Sequence, residues 1–316
     1  MLENAVQSIL MLYLLLLTGF WISSKDWFKG GDTLLSKLLI QIILPCNVFR
    51  SVVTYLTDLD EFLTLAGLAV WVAVVLVLSV TASWLLSALL KLPRLRRGVF
   101  IGASSFPNII LLGFPIVEAV LGEAAMKYAV VYFLADTLLF WSLCTYILLH
   151  FGEGGVERPR PLDRLKKLSS PSLAAMLAAL LMTALGLRLP AAADQAVARV
   201  SQCSNALSMF FIGAIIRQSR LGEGLLSRDS ALILLWKLAG VPALVLLVLG
   251  AVPMPAAARQ VFFLLTVMPV CVNFSILSHQ YRCDYKFATV ISAAMNVLCI
   301  AMLPLYILVM QLAWPG

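Results

Sequence analysis

The sequence predicts an all-α integral membrane protein: ten transmembrane helices arranged as two inverted repeats of five, with proline interrupting the fourth and the ninth. Three observations lead there. Of 316 residues, 62% are hydrophobic and only 12% charged, with a mean hydropathy of +0.98, too few charges to clothe a soluble surface. The apolar residues gather into runs near the ~20 residues that a ~30 Å hydrocarbon core requires. Proline then stands inside such runs at matching places in the two halves, at 107 and 269.

Taken in order, the spans are 5–23, 34–53, 62–89, 98–121, 125–149, 171–188, 200–217, 230–251, 258–279 and 287–312. The first is read as a membrane span, since no Lys or Arg precedes it and no small-residue cleavage pattern follows. Pro45, Pro107, Pro115, Pro242, Pro269 and Pro304 fall within spans, where each removes a helix hydrogen bond and crowds the preceding turn. The six cysteines lie in or at the ends of apolar runs with no C-x-x-C pair, which argues against a disulfide framework or a metal site.

Charge placement orients the spans. The loops after odd-numbered spans carry Lys and Arg far more often than those after even-numbered ones: Lys91, Arg94, Arg96 and Arg97 share one loop, whereas Arg50 and Lys127 stand alone in theirs. Basic loops stay cytoplasmic, so both termini are expected outside a plasma (inner) membrane. The net charge of +7 is therefore a topology signal and not a nucleic-acid surface.

The Gly-, Pro- and charge-rich stretch 152–170 separates a first repeat, 1–151, from a second, 171–316. "RGVFIGASSFP" (97–107) aligns with "RQVFFLLTVMP" (259–269), "KYAVV" (127–131) with "KFATV" (286–290), and "YIL" recurs at 146–148 and 306–308. Five spans per half is an odd number, so the copies must sit upside down relative to each other. Inverted repeats with interrupted helices in equivalent positions point to a secondary transporter with its site near the midplane.

The chain also resembles the auxin efflux carrier family, bacterial carboxylate permeases included. The resemblance rests on "TGFWISSKDWF…LLSKLLIQIILPCNVFRS", on "FPNIILLGFP" with Phe106, Asn108, Gly113 and Pro115, and on "KLAGVP" (237–242), "MP…ILSHQY" (268–281) and Pro304. It implies that helices 4 and 9 are broken and cross at their prolines. It also implies a scaffold of helices 1, 2, 6 and 7 against which helices 3–5 and 8–10 move, as in an elevator. Ile110, where many members have glycine, and Asp136, where an uncharged residue is expected, depart from the family pattern.

If Pro107 and Pro269 each begin a second half-helix, the N–H groups of 108–110 and 270–272 face the midplane, and two positive helix ends converge on an anion. Pro107, Asn108, Ile109, Pro269, Val270, Asn273 and Ser275 then form the substrate site for a small mono- or dicarboxylate, such as malate, malonate or an auxin-like acid. The carbonyl ends near Ser104, Ser105 and Thr266 are placed to hold a coupling cation or hydronium. Asp136 is an ionisable group at membrane depth, costly unless paired, hydrated or protonated, and suited to carry a proton. Asn296 lies near its repeat equivalent. For Lys237, snorkelling toward the cytoplasmic surface and a charge pair with Asp136 both stand open. Gln41, Asn47 and Asn205 either face substrate or pack helices.

No enzyme motif such as H-E-x-x-H, G-x-S-x-G or a P-loop is present, and no cofactor is implied. The expected partners are an organic anion, the bilayer and a proton or Na+. A homodimer is compatible with this organisation. A sodium-coupled symporter like the bile-acid transporters, or a transporter-like sensor, are the rival readings.

Overall fold

In a computed structural model of the chain, residues 2–55, 59–153, 171–218, 225, 227–271 and 274–315 are described. Most of the predicted linker 152–170, and Asn273, lie outside them. Among the described residues every regular element is helical. Five helices among the described residues are long and apolar enough to cross a membrane: Gly31–Thr54, Gly67–Leu89, Glu123–Phe151, Arg228–Ala251 and Tyr285–Ala313. Shorter apolar helices run over Leu10–Ile22, Ile109–Leu121, Pro171–Ala184 and Ala256–Val267.

The apolar run expected at 200–217 belongs to a longer helix, Ala191–Gln218. Its first turns carry Asp194 and Arg199, which a hydropathy boundary excludes but backbone hydrogen bonding does not. The preceding helix stops at Ala184, and Gly186, at φ +64°, supplies the left-handed turn.

The chain folds as two compact units. Unit 1 comprises Met1–Ala69, Ile110–Leu134 and Leu168–Gln218. Here the helix Leu2–Ile22 lies against Ala191–Gln218, and glycine on each side sets the spacing. A Cβ at Gly19 would run into the backbone of Phe210, and one at Gly213 into that of Leu16. Small residues let membrane helices approach at backbone distance and gain dispersion contacts that lipid would otherwise supply.

Unit 2 comprises Val70–Ile109, Ala135–Lys167 and Ser219–Gly316. Its aromatic core includes Phe100, Phe106, Phe140, Phe151, Phe274 and Tyr281, with Phe106 and Phe140 meeting edge to face. Gly102 leaves room for the Phe274 ring. Near the starts of three helices, Arg96 bonds Asp229 at 2.7 Å and Asp284 at 3.0 Å, with its guanidinium over the Phe287 ring. The hydrogen bond to Asp229, and then that to Asp284, raise the already high Arg96 pKa, so the guanidinium keeps its charge.

Two helices of unit 2 share a design. Arg94–Ser105 and Ala256–Val267 each have 12 residues. Each is preceded by a proline in nearly the same conformation, Pro93 at φ −55°, ψ 141° and Pro255 at φ −55°, ψ 142°. Arg97 and Arg259 take the same place in the two first turns, their N–H groups donating to the carbonyls of Pro93 and Pro255.

Candidate functional site

Both of these 12-residue helices stop for the same local reason. Proline disfavours the helical conformation in the residue before it. Phe106 takes φ −110°, ψ 105° ahead of Pro107, and Met268 takes φ −60°, ψ 152° ahead of Pro269. The two extended stretches then pair. Pro107 lies opposite Val270 in an isolated antiparallel bridge, and the Asn108 N–H donates to the Pro269 carbonyl at 2.6 Å. Helix resumes at Ile109 on one strand and at Phe274 on the other.

This corrects two expectations. Neither Pro107 nor Pro269 is the first residue of the following helix. The Asn108 N–H also does not face a ligand, because the partner strand uses it. A backbone donor in hydrocarbon must find an acceptor, and the nearest one is across the bridge. The amide side chain of Asn108, 4% exposed, remains the polar group contributed at this point. Ile109 and Val270 are buried beside it.

The carbonyl ends of the same helices carry the second half of the site. Lys237 Nζ donates to the Ser104 carbonyl at 3.2 Å and to the Thr266 carbonyl at 3.0 Å. Each helix C-terminus holds about half a negative charge, so one ammonium matches two ends. Lys237 is fully buried. It does not snorkel; its stem runs into the unit instead of along a surface. The carbonyls expected to hold a coupling cation hold this lysine.

Local structure explains the direction. Lys237 lies in a widened π turn, Trp236–Gly240, ahead of Pro242. Trp236 is anchored by its indole N–H on Ser83 Oγ at 2.8 Å, and its ring covers Gly240, where a Cβ would collide with it. With Trp236 fixed, the next side chain projects roughly a quarter turn away around the axis.

Asp136 is 7% exposed, and its Oδ1 is buried with no hydrogen-bond partner. It lies within electrostatic range of Lys237 without a direct ion pair. The Ser104 and Ser105 hydroxyls are buried without partners, whereas the Thr266 hydroxyl donates to Phe262 O in its own helix. Ser275 and Asn296 converge on Ser292: Ser275 Oγ donates to Ser292 Oγ at 3.3 Å, and Asn296 Nδ2 to Ser292 O at 2.8 Å. Ser292 was not singled out from the sequence, and an isolated serine in an apolar helix gives no signal.

Another residue did give a signal that went unread. Within unit 1, Glu118 accepts hydrogen bonds from the amides of Asn205 and Asn47. Its position in "FPIVEAVL" is as conspicuous as that of Asp136.

Two interrupted helices paired at their breaks in an apolar core, with an ammonium on their carbonyl ends, accompany apolar helices long enough to cross a membrane, and the comparison with known families supplies the class, a membrane transporter. A family model described as "Membrane transport protein" matches residues 4–307. The chain belongs to that family, the auxin efflux carrier family of membrane transporters. A comparison with curated proteins finds no match.

Proposed function

We propose that this chain is a secondary transporter of a small organic anion, a mono- or dicarboxylate, bound where the two broken helices cross. In this reading the chain has ten spans in two inverted repeats, works as an elevator, and is driven by a proton or runs as a uniporter. It sits in the inner membrane with both termini outside. The observation that carries the reading is the paired break at Pro107 and Val270 in a chain of this transporter family. Electrostatics supports the sign of the substrate. Lys237 neutralises the negative ends of Arg94–Ser105 and Ala256–Val267, so the positive end of Ile109–Leu121 is left to act on a ligand, with the Asn108 amide beside it.

Binding of carboxylates to the purified full chain, screened by thermal shift, tests it. Asn108→Ala is expected to keep the protein abundant in the membrane and to weaken binding of the stabilising carboxylate at least roughly tenfold, the loss of one charge-assisted hydrogen bond in a dry site. Unchanged binding would remove the crossing from the site. Counterflow of labelled against unlabelled substrate separates a carrier from a sensor. Reporter fusions should read cytoplasmic in the 152–170 linker and external at both termini.

A further inference from the structure

We propose that the Lys237 ammonium is a resident cation filling the carbonyl ends of the two broken helices, so that no sodium or other metal ion binds there. The proposal deepens the transport reading above by fixing what does not drive it.

A cation stabilised jointly by the ends of Arg94–Ser105 and Ala256–Val267 approaches the carbonyls of their last turns. Those of Ser104 and Thr266 already accept from Nζ at 3.2 and 3.0 Å. A metal ion sharing these oxygens would stand against a fixed positive charge in a low-dielectric interior, where repulsion is strongest. The charge count agrees. Two helix C-termini amount to about one negative charge, and the lysine supplies one positive charge. Asp136 lies in range without a direct bond.

The lysine is built in rather than accommodated. A buried ammonium is costly unless its donors are met, and here two main-chain carbonyls meet two of its three N–H groups. The turn that carries it is held from both sides, by Trp236 on Ser83 Oγ and by the Tyr306 hydroxyl donating to Leu238 O at 3.0 Å.

The test uses the purified full chain and needs no substrate, so its outcome is separable from that of the Asn108→Ala experiment. Melting is followed in choline chloride, sodium chloride and propylammonium chloride at constant ionic strength. The wild-type chain is expected to melt at the same temperature in all three. Lys237→Ala opens a cavity at the carbonyl ends and is expected to melt roughly 5 °C lower in choline, recovering with sodium or propylammonium. Lys237→Arg keeps the charge and is the second variant, should Lys237→Ala fail to fold. It is expected to melt independently of sodium, like the wild type. Saturable stabilisation of the wild type by sodium would overturn the proposal. So would a Lys237→Ala chain that melts like the wild type and ignores both cations, or a Lys237→Arg chain that requires sodium.

Discussion

Pro107 and Pro242 both interrupt apolar helices of unit 2, and the chain treats them differently. At Pro107 the preceding residue leaves helical space, the helix ends, and the exposed backbone pairs with a second broken strand. At Pro242 the preceding residue, Val241, stays helical at φ −62°, ψ −49°. The strain is taken up one turn earlier, in the π turn Trp236–Gly240. Pro45 and Pro115 behave like Pro242: each follows a π turn, Leu39–Ile43 and Ile109–Gly113 respectively, by two residues. In all three cases the carbonyl four residues before the proline, which the ring would strike, lies within the widened turn.

The difference lies in what becomes of the freed carbonyls. In the bulged helix, Leu238 O, which lost its donor to Pro242, accepts from the Tyr306 hydroxyl, a neutral group that closes the gap locally. At the break, the carbonyls of Ser104 and Thr266 accept from an ammonium, and the next strand pairs with a partner. A proline therefore opens a site only where long-range partners receive the polar groups it releases. Otherwise it is absorbed as a bend.

Substitutions at these two places test that contrast. The largest effect is expected from Pro107→Ala, which returns an N–H and relieves Phe106, letting Arg94–Ser105 and Ile109–Leu121 fuse. Uptake should fall at least roughly tenfold with normal membrane abundance; near-normal uptake would make Pro107 another bend. Asp136→Asn comes next and divides two modes of transport. It fixes a neutral group beside Lys237 at nearly constant volume. Uptake driven by a pH gradient should collapse, while exchange of labelled for unlabelled substrate survives because exchange need not return an empty carrier. Unchanged gradient-driven uptake would end the proton-carrier role of Asp136.

Pro242→Ala should have a much smaller effect, changing transport less than about twofold, because the restored N–H only re-forms a bond to Leu238 within a continuous helix. A tenfold loss there would show that the bulge, and the lysine it aims, cannot tolerate a regular turn. The smallest effect concerns Tyr306→Phe, which should cost about 0.5–1.5 kcal/mol in the wild type. It should cost less in a Pro242→Ala background, where Leu238 O has its own donor again. A double-mutant cycle on melting measures that coupling, and simple additivity would mean the phenol does not replace the missing N–H.

Composition, hydropathy runs and the placement of Lys and Arg determined, unaided, that this is a helical membrane protein. The recurrence of Phe–x6–Pro in "RGVFIGASSFP" and "RQVFFLLTVMP" located both breaks to the residue, because the pre-proline restriction acts over a single peptide bond. Side-chain direction was not determined in that way. A lysine about seven residues inside a span can reach either water or core, and which it does depends on a bulge, on a tryptophan anchored to Ser83 and on two carbonyls more than a hundred positions apart in sequence. Likewise, the Asn108 N–H looked free until the second strand supplied Pro269 O. Polar groups in an apolar interior are satisfied by whatever the fold brings within about 3 Å, and only the tertiary structure decides that.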